Sequence, residues 1–178
     1  MILPARAYGK SAAPELASST ARGAGCPQPE RQFLRGTEAM TDYTKPLPKP
    51  DPLTEPYWAS VRRKAMEVQR CDDCGAHVFY PRGLCPHCGS RALRWTAVSG
   101  RGKIYAFTIV HRPTMSAFKA DAPYIVALVE LDEGCRLMTN IVNVSPDPQS
   151  VKIGMEVEVS YVEATAAITL PVFRPRTG

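Results

Sequence analysis

The distribution of hydrophobic and polar residues separates an irregular N-terminal part from a periodic remainder. Residues 1–39 are rich in Ala, Gly, Ser, Pro and Arg without sustained periodicity, so we expect residues 1–44 to form a disordered extension. Met40 is a candidate start of the functional polypeptide, or else the residues before it are dispensable. The stretch KPLPKPDP that follows contains four prolines, which lack the amide donor that a helix interior requires. It predicts an extended arm with little to pack on, and such arms often dock on a partner.

A short amphipathic helix is predicted after the arm, so that residues 45–69 form one arm-and-helix segment. Thr54 is a candidate N-cap, and an acid and a proline follow it in the first turn, where both are favourable. Trp58, Val61 and Ala65 recur at helical spacing and define one apolar face. Packing of this face on the same chain is the simpler interpretation, and contact with a partner is the alternative.

Segments of alternating strand character fill the rest of the chain. They cover residues 91–98, 103–111, 124–131, 135–143, 155–163 and 167–173, and turn signals separate them. Five short antiparallel strands that close on themselves leave no bare edges, and the OB barrel is a five-stranded fold of this kind. We therefore predict a mainly β protein in which residues 99–176 form a five-stranded OB-fold barrel. The usual helix between the third and fourth strands should be missing, because SPDPQSVKIG is short and interrupted by prolines.

Four cysteines ahead of the barrel predict a metal site. Cys71, Cys74, Cys85 and Cys88 follow the pattern C-x2-C-x10-C-x2-C, and a glycine closes each pair. Each Cys-x-x-Cys turn brings two sulfurs within reach of one ion, and four thiolates suit Zn²⁺ in a tetrahedral site. Iron in a rubredoxin-like site and a redox-active dithiol are the alternatives. Since four thiolates leave no open position for water or substrate, we predict a structural zinc ribbon over residues 70–98.

The remaining reactive residues form no catalytic constellation. His77 and His87 lie beside a complete set of thiolates and are interpreted as bystanders, Cys135 is interpreted as a small buried residue, and Cys26 has no evident partner. The sequence contains no Gly-x-Ser-x-Gly, no phosphate-binding glycine loop and no His-Glu-x-x-His motif. We therefore expect a scaffold with a binding surface and no catalytic residues. An enzyme in its own right, such as a hydrolase, is the alternative.

The net charge of +5 is distributed unevenly. Residues 62–103 carry nine Lys or Arg against three Asp or Glu, whereas residues 104–178 carry six against eight. Part of the arginines in the first segment would neutralise the anionic zinc–thiolate centre. The acidic barrel segment disfavours nucleic acid, because single strands bind to OB folds through basic grooves. A module that binds single-stranded nucleic acid is therefore only an alternative function.

The sequence also predicts where the protein resides. No stretch approaches the ~18 apolar residues of a membrane helix. The N-terminal residues lack the continuous apolar core of a secretory signal. We expect a cytoplasmic protein without membrane contact, whose cysteines bind metal in a reducing environment.

The order and spacing of these segments resemble a known family. QRCDDCGAHVFYPRGLCPHCGS, SGRGKIYAFTIVHRP and PYIVALVEL, with the segments that flank them, resemble the zinc-ribbon/OB-fold proteins associated with acyl-CoA metabolism, long catalogued as a domain of unknown function. The resemblance implies an N-terminal helical arm, a rubredoxin-like zinc ribbon and an OB barrel, with the four cysteines as zinc ligands. It also implies a non-catalytic partner of a thiolase-superfamily enzyme: a thiolase, an acyltransferase or a lipid-transfer-protein-like aldolase of steroid degradation. A hydratase-fold protein is a further implied partner.

The resemblance favours an accessory subunit that helps to bind acyl-CoA. In this interpretation the arm and the Trp58 helix clasp the partner enzyme. Basic residues meet the CoA phosphates and aromatic residues line the pantetheine path: Arg101, Lys103 and Arg112, and Phe107, Phe118 and Tyr124, respectively. The alternative for the aromatic residues is ordinary barrel core. The alternative for Arg101 and Lys103 is a solvated position beside a hairpin turn.

Overall fold

The computed structural model describes residues 43–176. The expectations for Met40, Cys26 and the rest of residues 1–42 lie outside the described residues. Helix α1 spans Glu55–Arg62, and a 3-10 helix, η1, spans Ser116–Asp121. The strands are β1 Glu67–Cys71, β2 His77–Val78, β3 Leu93–Ala97, β4 Arg101–Val110, β5 Tyr124–Leu131, β6 Arg136–Ile141, β7 Glu156–Glu163 and β8 Thr169–Pro175.

Strands β4 to β8 close into the predicted five-stranded barrel, in the order β4-β5-β6-β8-β7. β4 pairs with both β5 and β7 and so closes the barrel. The expectation that all the strands are antiparallel is wrong at one seam, because β6 and β8 pair in parallel at Ile141 and Phe173. Alternate residues of β5, including Ile125 and Val129, are buried in the main core. The described residues 142–155 between β6 and β7 contain no helix, as the proline-rich segment predicts.

Gly102 lies in the part of β4 that pairs with both neighbouring strands. It is opposite Leu131 of β5 and Val157 of β7. A Cβ atom at this position would overlap the carbonyl oxygen of Glu130, so a glycine is required for the two backbones to approach. The register of β4 also shifts just beyond this point, which is typical of a bulge and increases the local bend.

Strand β1 is the centre of a second, three-stranded sheet in the order β2-β1-β3. The sequence predicts no strand here, because apolar and polar residues do not alternate along EVQRC. The buried residues of β1 do not alternate either, since Val68, Gln69 and Cys71 are all buried. The buried amide of Gln69 is satisfied by the backbone of Arg82, to which it donates one hydrogen bond and from which it accepts another. The sheet of the ribbon therefore begins before the first cysteine.

Helix α1 contains the predicted Trp58 and Val61, but it ends at Arg62, so the exposed Ala65 does not belong to its apolar face. Thr54 precedes the helix, yet its side chain makes no capping hydrogen bond. Instead, the carboxylate of Asp51 accepts hydrogen bonds from the amides of Leu53 and Thr54, at 3.0 and 2.8 Å. Hydrogen bonds from Thr54 hold the pKa of Asp51 below its usual value, because they stabilise the charged form. Thr54 is thus the N-cap residue, as predicted, although the side-chain hydrogen bonds at this end are accepted by Asp51 in the preceding turn.

The described part of the arm, residues 43–50, packs on its own chain. Tyr43 and Leu47 contact a small cluster that Trp58 of α1 also covers, formed by Val142, Ala164, Leu170 and Val172. The buried side of α1 faces the same chain as well. The expectation that the arm has little to pack on is therefore wrong for residues 43–50. Neither helix of the described residues is long and apolar enough to cross a lipid bilayer.

Candidate metal centre and ligand groove

The structure brings Cys71, Cys74, Cys85 and Cys88 together. Their four Sγ atoms lie within 4.8 Å of one another. The Sγ atoms of Cys71 and Cys88, and those of Cys74 and Cys85, are 3.6 Å apart. This spacing fits a tetrahedron with Zn–S bonds of about 2.3 Å, whose edges measure roughly 3.8 Å. It is too long for a disulfide, whose S–S bond is about 2.05 Å. The four cysteines are therefore positioned to bind one metal ion.

Two equivalent turns build this centre. The amide of Gly75 donates to the carbonyl of Cys71, and the amide of Gly89 donates to the carbonyl of Cys85, both at 2.9 Å. Both glycines have a positive φ, +74° and +77°, which residues with a side chain rarely adopt. The repeated sequence C-x-x-C-G thus folds into a repeated structure, and each turn contributes two sulfurs.

Backbone amides also stabilise the thiolate of Cys71. The amides of Cys74 and Asp73 donate to Sγ of Cys71 and lower the pKa of this thiol to about 7. The thiolate is the form that binds a metal, so the backbone prepares Cys71 as a ligand. Because four thiolates complete the tetrahedron, the centre is a closed structural zinc site.

The two histidines beside the cysteines do not contribute to the centre. Among residues 43–176, the group that could hold a metal consists of the four cysteines alone. His77 and His87 instead line a polar pocket of about 370 Å³, together with Cys135. Burial raises the pKa of Cys135 to about 11, so this thiol remains protonated at neutral pH. These positions agree with the interpretation of all three as residues outside the metal site.

Four aromatic residues connect the ribbon to the helix and the barrel. In this aromatic junction, the ring centroid of Tyr57 lies 5.2 Å from those of Trp58 and Phe79, and the centroids of Phe79 and Tyr80 are 4.4 Å apart. The hydroxyl of Tyr80 accepts a hydrogen bond from the amide of Met138 in β6, at 3.3 Å. A residue between the two cysteine pairs therefore contacts the barrel directly.

An open apolar groove lies beside the aromatic junction. We call it the Tyr80 groove; it has a volume of about 410 Å³ and is lined by Pro46, Tyr80, Pro113, Thr114, Met115, Phe118, Tyr124 and Met138. Tyr80 and Met138 are each 52% exposed. Continuous apolar surface of this kind is typical of binding sites. The groove is therefore the candidate ligand or partner site of the described chain.

The predicted aromatic contacts fall into two groups. Phe118 and Tyr124 line the Tyr80 groove, with ring centroids 6.4 Å apart. Arg112 is exposed and directly precedes a lining residue. Phe107, in contrast, is opposite the buried Ala127 and packs against the main core. Phe107 thus has the position that the core interpretation predicts.

Arg101 and Lys103 are exposed on β4, opposite acidic residues. Arg101 is opposite Glu158 of β7, and Lys103 is opposite Glu156 of β7 and Glu130 of β5. The three glutamates form their ion pairs with other residues, namely Arg174, Arg176 and Arg136. Neither residue lines the Tyr80 groove. These neighbours follow from barrel closure, which separations along the chain do not indicate.

Sequence reasoning missed six of the eight residues that line the groove, among them Tyr80, Met115 and Met138. One signal was available, because β5, YIVALVEL, is apolar at outward as well as inward positions. Its outward Leu128 lies opposite Met138. A strand that is apolar on both faces indicates that both faces are covered.

A ribbon closed by four thiolates and joined to a small barrel defines the class of zinc-ribbon/OB-fold proteins. Family models agree with this class: residues 58–94 match the ChsH2 rubredoxin-like zinc ribbon domain, and residues 95–162 match the ChsH2 C-terminal OB-fold domain. The chain is 43% identical over 107 residues to a DUF35 domain-containing scaffold protein of Methanothermobacter thermautotrophicus, a match that covers 58% of this chain and 77% of that protein. The chain therefore belongs to the DUF35 family of zinc-ribbon/OB-fold proteins.

Two further similarities extend the comparison. The chain is 38% identical over 151 residues to a probable enoyl-CoA hydratase alpha subunit of Thermomonospora curvata, covering 81% of this chain but 46% of that protein. It thus spans about half the length of this relative. A chain of the solved structure named Ltp2-ChsH2(DUF35) aldolase matches with a TM-score of 0.64 and 37% identity, covering 72% of this chain and 98% of that chain. The predicted family, mainly β fold and structural zinc are confirmed.

Proposed function

We propose that this chain is a non-catalytic, zinc-binding accessory subunit that pairs with a thiolase-superfamily enzyme and helps to bind acyl-CoA. The observation that carries the proposal is the likeness of this protein to one chain of the Ltp2-ChsH2(DUF35) aldolase. The match covers 98% of that chain. The scaffold name of the archaeal relative supports a non-catalytic role. The proposed partner is a thiolase, an acyltransferase or a lipid-transfer-protein-like aldolase, acting in lipid metabolism such as steroid degradation.

The Tyr80 groove is the proposed contact for acyl-CoA. Its aromatic and methionine side chains suit the apolar acyl and pantetheine parts. Two exposed cations, Arg112 and Lys119, each adjoin a lining residue in sequence and place positive charge beside the groove. Such cations pair well with phosphate groups. The Tyr80 groove would thus contact the acyl and pantetheine parts of the ligand, and the two cations would contact its phosphates.

A hydratase-fold protein is a second proposed partner. The relative from Thermomonospora curvata carries the name of a hydratase alpha subunit and is about twice as long as its matched region. Because the zinc centre of this chain is closed, the chemistry in such a complex would come from residues of the other protein. The proposed location is the cytoplasm, where reducing conditions keep the four thiols available for the metal.

The proposal assigns a role to each segment of the chain. The arm and helix are proposed for residues 45–69, the ribbon for residues 70–98 and the barrel for residues 99–176, except that β1 begins the ribbon sheet at Glu67. Trp58, Arg101 and Lys103 remain proposed contacts of the partner or of CoA. Single-stranded nucleic acid is a poorer ligand for this barrel, because Arg101 and Lys103 lie opposite glutamates.

Purification of the chain from its native cells tests the proposed partnership. A tagged chain should retain a thiolase-superfamily enzyme in a fixed molar ratio, with or without a hydratase-fold protein, identified by mass spectrometry. The tag alone is the control. Recovery of the zinc-loaded chain without either class of enzyme, from cells in which they are expressed, would refute the partnership.

Calorimetric titration with octanoyl-CoA tests the proposed groove. The variant Met138→Asp introduces a charge into the apolar lining and should weaken binding by about tenfold or more, since burying an unpaired carboxylate is costly. Ile153→Asp is the matched control, because Ile153 is 71% exposed and does not line the groove. Equal affinities of the two variants would exclude the Tyr80 groove as the ligand site.

A further inference from the structure

Directional contacts to the barrel are scarce along the arm. Within the described chain, no backbone hydrogen bond joins residues 44–50 to the barrel. Three of these residues are prolines, which have no amide hydrogen to donate. Leu47 packs on a small apolar cluster, and apolar contacts are non-directional. This contact holds residue 47 against the barrel without fixing the register of its neighbours.

One contact of the arm is both directional and shielded from water. Nζ of Lys45 lies 3.0 Å from Oδ2 of Asp121, and the two side chains are only 13% and 15% exposed. A charge-assisted hydrogen bond of this length has a narrow range of geometries. The ion pair therefore selects one register of the arm relative to η1.

The two residues adjoin different walls of the Tyr80 groove. Lys45 directly precedes Pro46, which lines one side. Asp121 is the last residue of η1, which carries the lining residue Phe118. Burial and the charge of Asp121 raise the pKa of Tyr124, so this third lining residue also lies near the pair. The ion pair thus joins the arm to the aromatic wall.

We propose that Lys45 and Asp121 are positioning residues: their ion pair fixes the register of the arm, so that the arm forms a permanent wall of the Tyr80 groove. The inference rests on the proposed function in one respect, because it takes acyl-CoA as the ligand of this groove. It adds that the affinity for acyl-CoA depends on two residues whose charges do not face the ligand. The arm is then a part of the binding site and not merely a tether.

The effect of a largely buried ion pair on the register of the arm can be measured separately from its effect on the free energy of unfolding. Replacing such a pair with apolar residues of similar volume often leaves stability unchanged or increases it, whereas removing one partner leaves a buried charge unpaired. The double variant Lys45→Met/Asp121→Leu should therefore fold as well as the wild type while losing the directional contact. The charge-swapped Lys45→Glu/Asp121→Lys variant keeps an ion pair and should retain the register.

Two measurements on the zinc-loaded full chain decide the proposal. In calorimetric titrations, the Met/Leu variant should bind octanoyl-CoA about tenfold more weakly than the wild type, and the charge-swapped variant should recover most of the affinity. In limited proteolysis, chymotryptic cleavage after Tyr43 should be faster in the Met/Leu variant, because cleavage follows local opening of the arm. A matched control removes the exposed pair of Arg174 and Glu158 by Arg174→Met/Glu158→Gln and should change neither quantity.

The outcomes separate this inference from the proposed function. If the wild type binds octanoyl-CoA and the Met/Leu variant matches it in affinity or in cleavage rate, the positioning role is overturned. If the wild type binds no octanoyl-CoA, acyl-CoA binding by the subunit is refuted. The cleavage rate then decides the role of the ion pair alone: faster cleavage in the Met/Leu variant supports it, and an unchanged rate overturns it.

Discussion

Cys74 lies exposed at the surface, yet the ribbon depends on it as much as on the buried Cys71. The ribbon buries little apolar surface of its own, since its separate cluster contains only Cys71, Val78 and Cys85, with Leu93 beside it. Zinc binding supplies the missing folding free energy, about 10–16 kcal/mol in comparable peptides. The loss of a single thiolate should therefore affect the whole segment.

The variant Cys74→Ser is expected to lose its zinc, because a neutral hydroxyl is a much weaker ligand than a thiolate. Elemental analysis should find about one zinc per wild-type chain and close to none in the variant. Cys135→Ser is the matched control and should keep its zinc, since Cys135 does not belong to the cluster. Stoichiometric zinc in Cys74→Ser would contradict a centre of four thiolates.

Gly102 illustrates the opposite case, in which the missing side chain matters. In Gly102→Ala the new methyl group would overlap the carbonyl of Glu130, and backbone cannot move aside as a flexible side chain can. We expect the free energy of unfolding to fall by about 2–4 kcal/mol in urea titrations. Gly83→Ala, which meets no atom within 4 Å, should change it by less than ~0.5 kcal/mol. Equal stability of the two variants would show that β4 can bend without the glycine.

At the scale of elements, side chains join the ribbon to the barrel, because the two sheets share no strand. The Tyr80 hydroxyl accepts from Met138, and the Tyr161 hydroxyl of β7 accepts from the amide of Met66 just before β1, at 3.1 Å. The aromatic junction adds packed rings that contact the main core. The ribbon is thus attached to the barrel through contacts that single substitutions can test.

Phe79→Ala should weaken this attachment without disturbing the metal. Phe79 packs against the main core and the ring of Tyr57, so its removal leaves a cavity and is expected to cost about 2–3 kcal/mol of unfolding free energy. The zinc content should remain at one per chain, because all four thiolates are kept. Leu84→Ala on the same ribbon is the control, since Leu84 is largely exposed and should have little effect. Loss of zinc from Phe79→Ala would show that the centre and the junction fold as one unit.

For the whole molecule, the sequence predicts those features that depend on neighbours along the chain. The spacing of the cysteines identifies the metal centre, and the alternation in β7 and the almost wholly apolar β5 identify barrel strands. β1 escapes this reasoning because the polar Gln69 is buried beside Val68. η1 escapes it because HRPTMSAFKADAP has neither a strand nor a helix period.

The candidate site depends on contacts between distant segments, which is why only part of it could be predicted. Phe107 lies in a predicted strand, but only the barrel structure shows that it packs against the core while Phe118 lines the groove. Tyr80 and Met138 meet because the ribbon packs on β6. The ion pair of Lys45 and Asp121 likewise requires the arm to lie against η1. No local pattern reports such distances.

The rate of acyl-CoA turnover tests most directly whether this subunit contributes a binding surface to the reaction of another protein. The rate should be compared between the zinc-loaded chain alone, the partner enzyme alone and their complex. A closed thiolate centre offers no position for a reacting water or substrate, so we expect no turnover by the chain alone. The complex should exceed the isolated enzyme in kcat/KM by about tenfold or more, if the groove contributes to transition-state binding. Turnover by the purified chain in the absence of any partner would contradict the scaffold function.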